Sequence, residues 1–349
     1  MIGTVNPIGD DSRAKRIAKV AGWLAAAAVV VVALDLAGVD VGGWLSGVWN
    51  AISDVPPGYL LGAVALQTLQ TAWTALAWLF ILRAGYPHAH IAFAPILAAY
   101  AVGVALNAVL PANLGSFVTL FMFVAVIPGA TFAGVFAGFL VQKIFFTVVG
   151  VLVYVYLFAS VPGSFSVKLG AVRAHPVLAA CAAAGAVVIV AVLLRVFWPK
   201  LRRSWEQAKQ VGSILGSGRA YVTRVVLPSL AGYIARLLGI AVVLAAFGIP
   251  ATFASVMHVV GGNSIANTIS ATPGGAGVNE ALGVVALSHY TDAQTAAAFS
   301  AAQHLLSTGW NLVLALILVP AVFGWANGAA MIKASYTQAR HHRPTPSQP

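Results

Sequence analysis

The sequence predicts an all-α integral membrane protein with six full transmembrane helices and two opposed re-entrant helical hairpins, arranged as an inverted repeat. Three observations predict it. Of 349 residues, 60% are apolar and only 8% are charged, whereas a soluble domain carries about 25% charged residues. Apolar runs long enough to cross a bilayer recur along the chain, a crossing taking about 20 residues. Two further apolar regions are each interrupted by Pro and Gly. A soluble globular protein and a disordered chain are both excluded. The polar stretches at the two ends and near 200–220 are too short for a soluble catalytic domain, which needs at least about 50 residues.

The elements follow in order. Residues 1–19 form a cytoplasmic N-terminal tail carrying Arg13, Lys15, Arg16 and Lys19. The first span, 20–39, is too long for a signal peptide and lacks a convincing small-residue cleavage site, so it reads as an uncleaved anchor. Trp44 and Trp49 suit a surface-parallel segment outside the membrane. The span 59–82 comes next, then the region 91–127, broken by Pro111-Ala112-Asn113-Leu114-Gly115. Spans 131–158 and 175–197 follow, and 200–216, with Arg202, Arg203 and Trp205, reads as a short interfacial helix. Span 225–247 precedes the second broken region, 252–290, whose break is Thr272-Pro273-Gly274-Gly275-Ala276-Gly277. Span 296–323 is the last, and 324–349 reads as a polar, disordered cytoplasmic tail. Residues 20–323 thus form a single transmembrane domain, with repeat halves at 59–158 and 225–323.

Charge orients the chain. Lys and Arg number 19 against 8 acids, a net charge of +11. In a membrane protein this excess belongs to cytoplasmic loops facing anionic lipid, and it needs no nucleic acid to explain it. With both termini inside, and each broken region entering and leaving on one side, 14 of the 19 basic residues are cytoplasmic. Lys168 and Arg173 are outside, and Lys143, Arg195 and Arg236 lie within spans. The parity makes the Pro111 region a hairpin entered from the cytoplasm and the Pro273 region one entered from outside, the sense of an inverted repeat. Two Pro/Gly-kinked ordinary helices would satisfy the same pattern with different loops.

The breaks are where function is expected. Lipid cannot satisfy the backbone groups freed at membrane depth, so such segments are buried in protein or line a wet cavity. The helices that restart near 114–127 and 278–290 would present free N–H groups and a positive dipole end. Gly274, Gly275 and Gly277 leave room for close approach of a ligand, and Asn113, Asn279 and Glu280 are placed to cap or to bind. Asn107 precedes Pro111, and the Pro111-x-x-x-Gly115 spacing repeats at Pro273-x-x-x-Gly277. Lys143, Arg236 and Glu280 are ionisable groups at a depth where charge is costly; for Lys143 the plainer alternative is snorkelling, and for Arg236 with Glu280 mutual neutralisation. The single cysteine, Cys181, cannot form an intramolecular disulfide. His88-Ala-His90 lacks further ligands, and no metal, cofactor or catalytic constellation is expected.

Ile269-Ser-Ala-Thr-Pro-Gly-Gly-Ala-Gly-Val-Asn-Glu280 resembles the Pro-Gly-Gly-x-Gly-x-x-Glu signature of the flippase-like transmembrane region of lysylphosphatidylglycerol synthases. Asn107-Ala-Val-Leu-Pro-Ala-Asn-Leu-Gly115 resembles the same family's earlier Asn-x-x-Leu-Pro-x-x-x-Gly element. The resemblance covers nearly the whole chain in layout and implies translocation of a lipid or lipid-linked substrate between leaflets. The soluble aminoacyl-transfer domain is absent from this sequence, so synthase activity is not implied. Three departures stand out. Where the family often has Glu after the first glycine and Arg a few residues later, this chain has Ser116 and Phe117 with no nearby Arg; where it often has Glu-Arg in the next span, this chain has Gln142-Lys143; and the Arg common in the last span is replaced near Gln303-His304.

The expected function is therefore a non-enzymatic, flippase-like transporter in the cell membrane. The expected partners are membrane lipids, an anionic phospholipid or lipid-linked intermediate, together with a second copy of the chain or an envelope enzyme. The competing classes are a non-transporting scaffold for an envelope-biogenesis enzyme and an integral membrane transferase. The transferase would need catalytic acids, and Asp40, Asp54 and Asp292, the acids placed outside, have no recognisable spacing.

Overall fold

The computed structural model describes residue 50 and residues 53–110, 114–160, 213–269 and 277–341. The expected spans 20–39 and 175–197, Cys181, Pro111, Asn113, Pro273, Gly274 and Gly275 lie outside the described residues, as does most of 200–216. The chain divides into two compact units, Met1–Asp54 and Val55–Pro349, and every helix from Pro57 onward belongs to the second.

Among its described residues the second unit is helical throughout. Helix α1 is Pro57–Gly85, α2 Phe93–Val109, α3 Leu114–Val126 and α4 Phe132–Ser160. A continuous helical stretch, Gly218–Ala246, forms α5. Then come α6, Phe253–Ile269, α7, Val278–Leu287, α8, Ala293–Phe323, and α9, Trp325–His341. Four of these, α1, α4, α5 and α8, are long and apolar enough to cross a membrane. At 1.5 Å per residue α2 and α6 reach about 25 Å, α3 about 20 Å and α7 about 15 Å, each short of the roughly 30 Å hydrocarbon layer.

Prolines and glycines set the boundaries. Pro57 starts α1 at a position where its missing N–H costs nothing. Leu110, ahead of Pro111, is extended at φ −98° and ψ 141°, because the proline ring disfavours helical geometry in the residue before it. Pro228 cannot donate to the carbonyl four residues back, Arg224, and that residue lies in a widened π turn, Val222–Val226. Gly277, at φ +83°, turns the chain into α7, a geometry that favours glycine.

Both short-helix pairs fold back on themselves. In the first, Gly103 faces Gly115 and Thr119, and Asn107 faces Ser116. In the second, Gly262 faces Leu282 and Ala286, and His258 meets Tyr290. Helices α1 and α5 run antiparallel, with Gly62 against Val242, Gly239 against Leu66 and Gly232 against Thr74. Small residues recur at these crossings because lipid is as apolar as leucine, and helices in it gain from close backbone approach. Exchanging α1–α4 with α5–α8 carries two packed pairs into packed pairs: α2 on α8 becomes α6 on α4, and α3 on α4 becomes α7 on α8. An apolar stripe of Leu140, Ile144, Val148, Leu152 and Val155 is left exposed along α4, a surface that suits lipid and not water.

The expectation of a disordered tail over 324–349 is corrected for residues 325–341. Residues Trp325–His341 form α9, which packs on α3. Met331, Ile332 and Tyr336 join the core of Trp78, Phe121 and Phe123, and Ser335 and Ala339 are buried. The helix is polar on average, but these positions recur at helical spacing and give it one face to bury.

Two features are open to test by thermal unfolding in detergent. A Cβ on Gly115 would collide with the Gly103 carbonyl and stand 2.7 Å from Asn107 Oδ1, so Gly115→Val should destabilise by about 1–3 kcal/mol or more. Gly150→Ala, whose added carbon meets nothing within 4 Å, should not. At the start of α8, Asp292 Oδ1 accepts from the N–H groups of Gln294 and Thr295, both at 2.9 Å. The Thr295 backbone N–H above all holds this carboxyl below its ordinary range. The cap's contribution is therefore full above that range and is lost as pH falls through the lowered value. The stability gap between wild type and Asp292→Ala should close in acid and persist at neutral pH.

Candidate functional site

Two cavities open among the helices, about 360 Å³ and 260 Å³ in volume, and they share Gln70, Val104, Asn107 and Arg236. They follow one another along α1: the larger borders Ala63, Gln67 and Gln70, and the smaller Gln70, Thr74 and Trp78. Arg236 stands where they meet. It is about 15 Å from the C-terminal end of α5 and about 27 Å from the start, at 1.5 Å per residue.

The larger cavity has one strongly polar wall. Asn263, Asn279, Gln303, His304 and Asn311 border it from α6, α7 and α8. Gln67 Nε2 donates to Asn311 Oδ1 at 3.2 Å, tying α1 to α8. Ser300 is 7% exposed and its hydroxyl has no hydrogen-bond partner among the described residues. The smaller cavity has an aromatic wall of Trp78, Phe139 and Phe146, and polar groups from Gln142, Lys143 and Tyr233. The Lys143 ammonium sits 5.1 Å from the Phe139 ring centroid, an attractive placement for a cation. Among the described residues no Asp or Glu borders either cavity.

The sequence-selected residues divide into two groups. Arg236, Lys143, Asn107 and Asn279 border the cavities. Gly115 is buried in the hairpin contact instead, and Gly277 is an exposed turn residue. Asn107 also serves the backbone: its Oδ1 accepts from the Ser116 N–H and its Nδ2 donates to Ser116 Oγ, both at 3.0 Å. It therefore satisfies one of the free N–H groups at the start of α3.

Glu280 behaves alike at the other hairpin. Its Oε2 accepts from the Gly277 N–H at 2.6 Å, and its Oε1 lies 2.7 Å from His304 Nδ1. Among the described residues Arg236 has no ion-pair partner, so the Arg236–Glu280 neutralisation is replaced by a Glu280–His304 pair. The negative carboxylate occupies the positive end of α7. Among the described residues Arg236 borders both cavities and Lys143 the smaller one, and the helix start is already occupied.

Sequence reasoning passed over Gln67, Gln70, Asn263, Ser300 and Asn311. For Asn311 a signal was present: Gln303, Ser307 and Asn311 are four residues apart and share a face of α8. Ser116, Gln142 and Lys143 border the smaller cavity, and Gln303 and His304 the larger.

Removing the carboxylate with Glu280→Ala should cost about 1–3 kcal/mol by stranding the Gly277 N–H and the histidine. Glu280→Gln keeps an acceptor and should lose less. Thermal unfolding of the detergent-solubilised variants measures both.

Residues 18–330 match the family model described as the Lysylphosphatidylglycerol synthase TM region. No curated protein and no solved structure matches the chain significantly.

Proposed function

Since the chain belongs to the lysylphosphatidylglycerol synthase transmembrane-region family, we propose that it carries the anionic headgroup of a lipid or lipid-linked molecule between leaflets of the cell membrane. The observation that carries this reading is Arg236, a cation deep in the bundle, among polar side chains and without an acidic partner among the described residues. Leaving such a charge uncompensated in a low-dielectric interior is expensive. A phosphate arriving from the lipid would compensate it, while the acyl chains stay outside the polar path.

The architecture supports the reading. The short helices of each pair fold back at depth and become re-entrant hairpins, one in each half. The antiparallel run of α1 against α5, its counterpart, relates the halves by an axis across the helices, as in an inverted repeat. Arg83 at the end of α1, Arg219 and Arg224 at the start of α5, and Lys333 and Arg340 on α9 belong to elements packed together at one end. By the positive-inside rule that end is cytoplasmic, with both termini inside. The protein acts as a transporter without bond chemistry, and its partners are membrane lipids.

The test is a leaflet-resolved assay in proteoliposomes carrying fluorescent phosphatidylglycerol, phosphatidic acid or a polyprenyl phosphate. Arg236→Ala should slow flipping of the preferred lipid at least about tenfold, the scale of one lost charge-assisted hydrogen bond. Arg236→Lys should retain part of the rate. Wild-type rates in a folded Arg236→Ala protein would overturn the reading.

A further inference from the structure

We propose that the smaller cavity is a subsite for a group bearing two or more negative charges and no cationic moiety, such as a phosphomonoester or diphosphate; this rests on the lipid-transport reading. Three independent features of the cavity converge.

The first is its charge. Arg236 and Lys143 both border it and, among the described residues, no carboxylate does. A single phosphodiester would neutralise one of these cations and leave the other uncompensated. A phosphomonoester or diphosphate neutralises both, and an arginine fork with a lysine point charge is a common pairing for such oxygens.

The second is its unsatisfied polar groups. Gln142 is only 6% exposed and its Nε2 has no hydrogen-bond partner among the described residues; the Tyr233 hydroxyl is buried without a partner as well. Buried donors are normally paired, and leaving one unmade costs the full desolvation of the group. A ligand rich in acceptor oxygens would satisfy the amide, the phenol and the two cations together.

The third is the neutral character of its other polar groups. Ser116 presents a hydroxyl and Gln142 an amide, and both line this cavity. A headgroup carrying an ammonium finds no carboxylate among these residues and two cations that repel it. Discrimination against amine-bearing lipids then comes from like charge at close range, where the low dielectric magnifies it.

Isothermal titration of the purified full chain in detergent tests the subsite without any transport step. The probes are farnesyl diphosphate, inorganic diphosphate and dihexanoyl phosphatidylethanolamine. Farnesyl diphosphate should bind at least about tenfold more tightly than the ethanolamine lipid, and Lys143→Gln should weaken it by about tenfold or more. Lys143 is exposed at the cavity rim, so this variant should fold, which its thermal unfolding verifies. Gln142→Glu should weaken the diphosphate and strengthen the ethanolamine lipid. Inorganic diphosphate matching the farnesyl form would point to a soluble polyanion, and a requirement for the farnesyl chain to a lipid headgroup; either supports the donor set. Equal affinity for diphosphate and ethanolamine lipid, or unchanged diphosphate binding in folded Lys143→Gln, would overturn the subsite. A protein that shows these dependences yet flips no lipid would retire the transport reading and leave the subsite standing.

Discussion

A helix that breaks off within a bundle leaves backbone donors without intrahelical partners, and this structure is organised around supplying them. At the first hairpin the Asn107 amide reaches across to the Ser116 N–H. At the second, Glu280 takes the Gly277 N–H and is itself held by His304. Each solution places a polar side chain among the helices, where it must face protein or water. The polar interior follows from the breaks in the helices.

The same constraint explains the glycines. Hairpin legs lie close only where no Cβ intervenes, as at Gly103 and Gly115. The α1–α5 crossing uses Gly62, Gly232 and Gly239 in the same way. Packing of this kind brings Arg236 alongside Gln70 and Asn107, residues from three different helices, at the meeting of two cavities. Glycines and asparagines hold the frame, and an arginine without an acidic partner among the described residues gives the interior its sign.

Electrostatics separates this chain from a generic polar channel. The positive helix start proposed for the second hairpin is taken by Glu280, and the first is served by Asn107. What remains for a ligand is side-chain charge, Arg236 between the cavities and Lys143 in the smaller one, with no acid among the described residues bordering either.

Much of the frame was legible in the chain. Long apolar runs give α1, α4, α5 and α8, because a bilayer demands about 20 apolar residues wherever it is crossed. Pro111, and Pro273 with its glycines, mark where helices must break, since proline lacks a donor and restricts its neighbour. Arg236 and Lys143 stand out because charge at depth is costly. Helix α9 was missed because its average polarity hides a single buried face of Met331, Ile332, Ser335 and Ala339. The sequence by itself thus determined which segments are apolar, where they are interrupted and which charges fall within apolar segments, because each is a local property of a few consecutive residues. Only the tertiary structure decided that Glu280 pairs with His304 and not Arg236, that Gln67 meets Asn311, and that Gln142 and Lys143 share a cavity with Arg236. Those outcomes depend on which faces of distant helices meet, and in a lipid medium that choice rests on small residues and shape across the whole bundle.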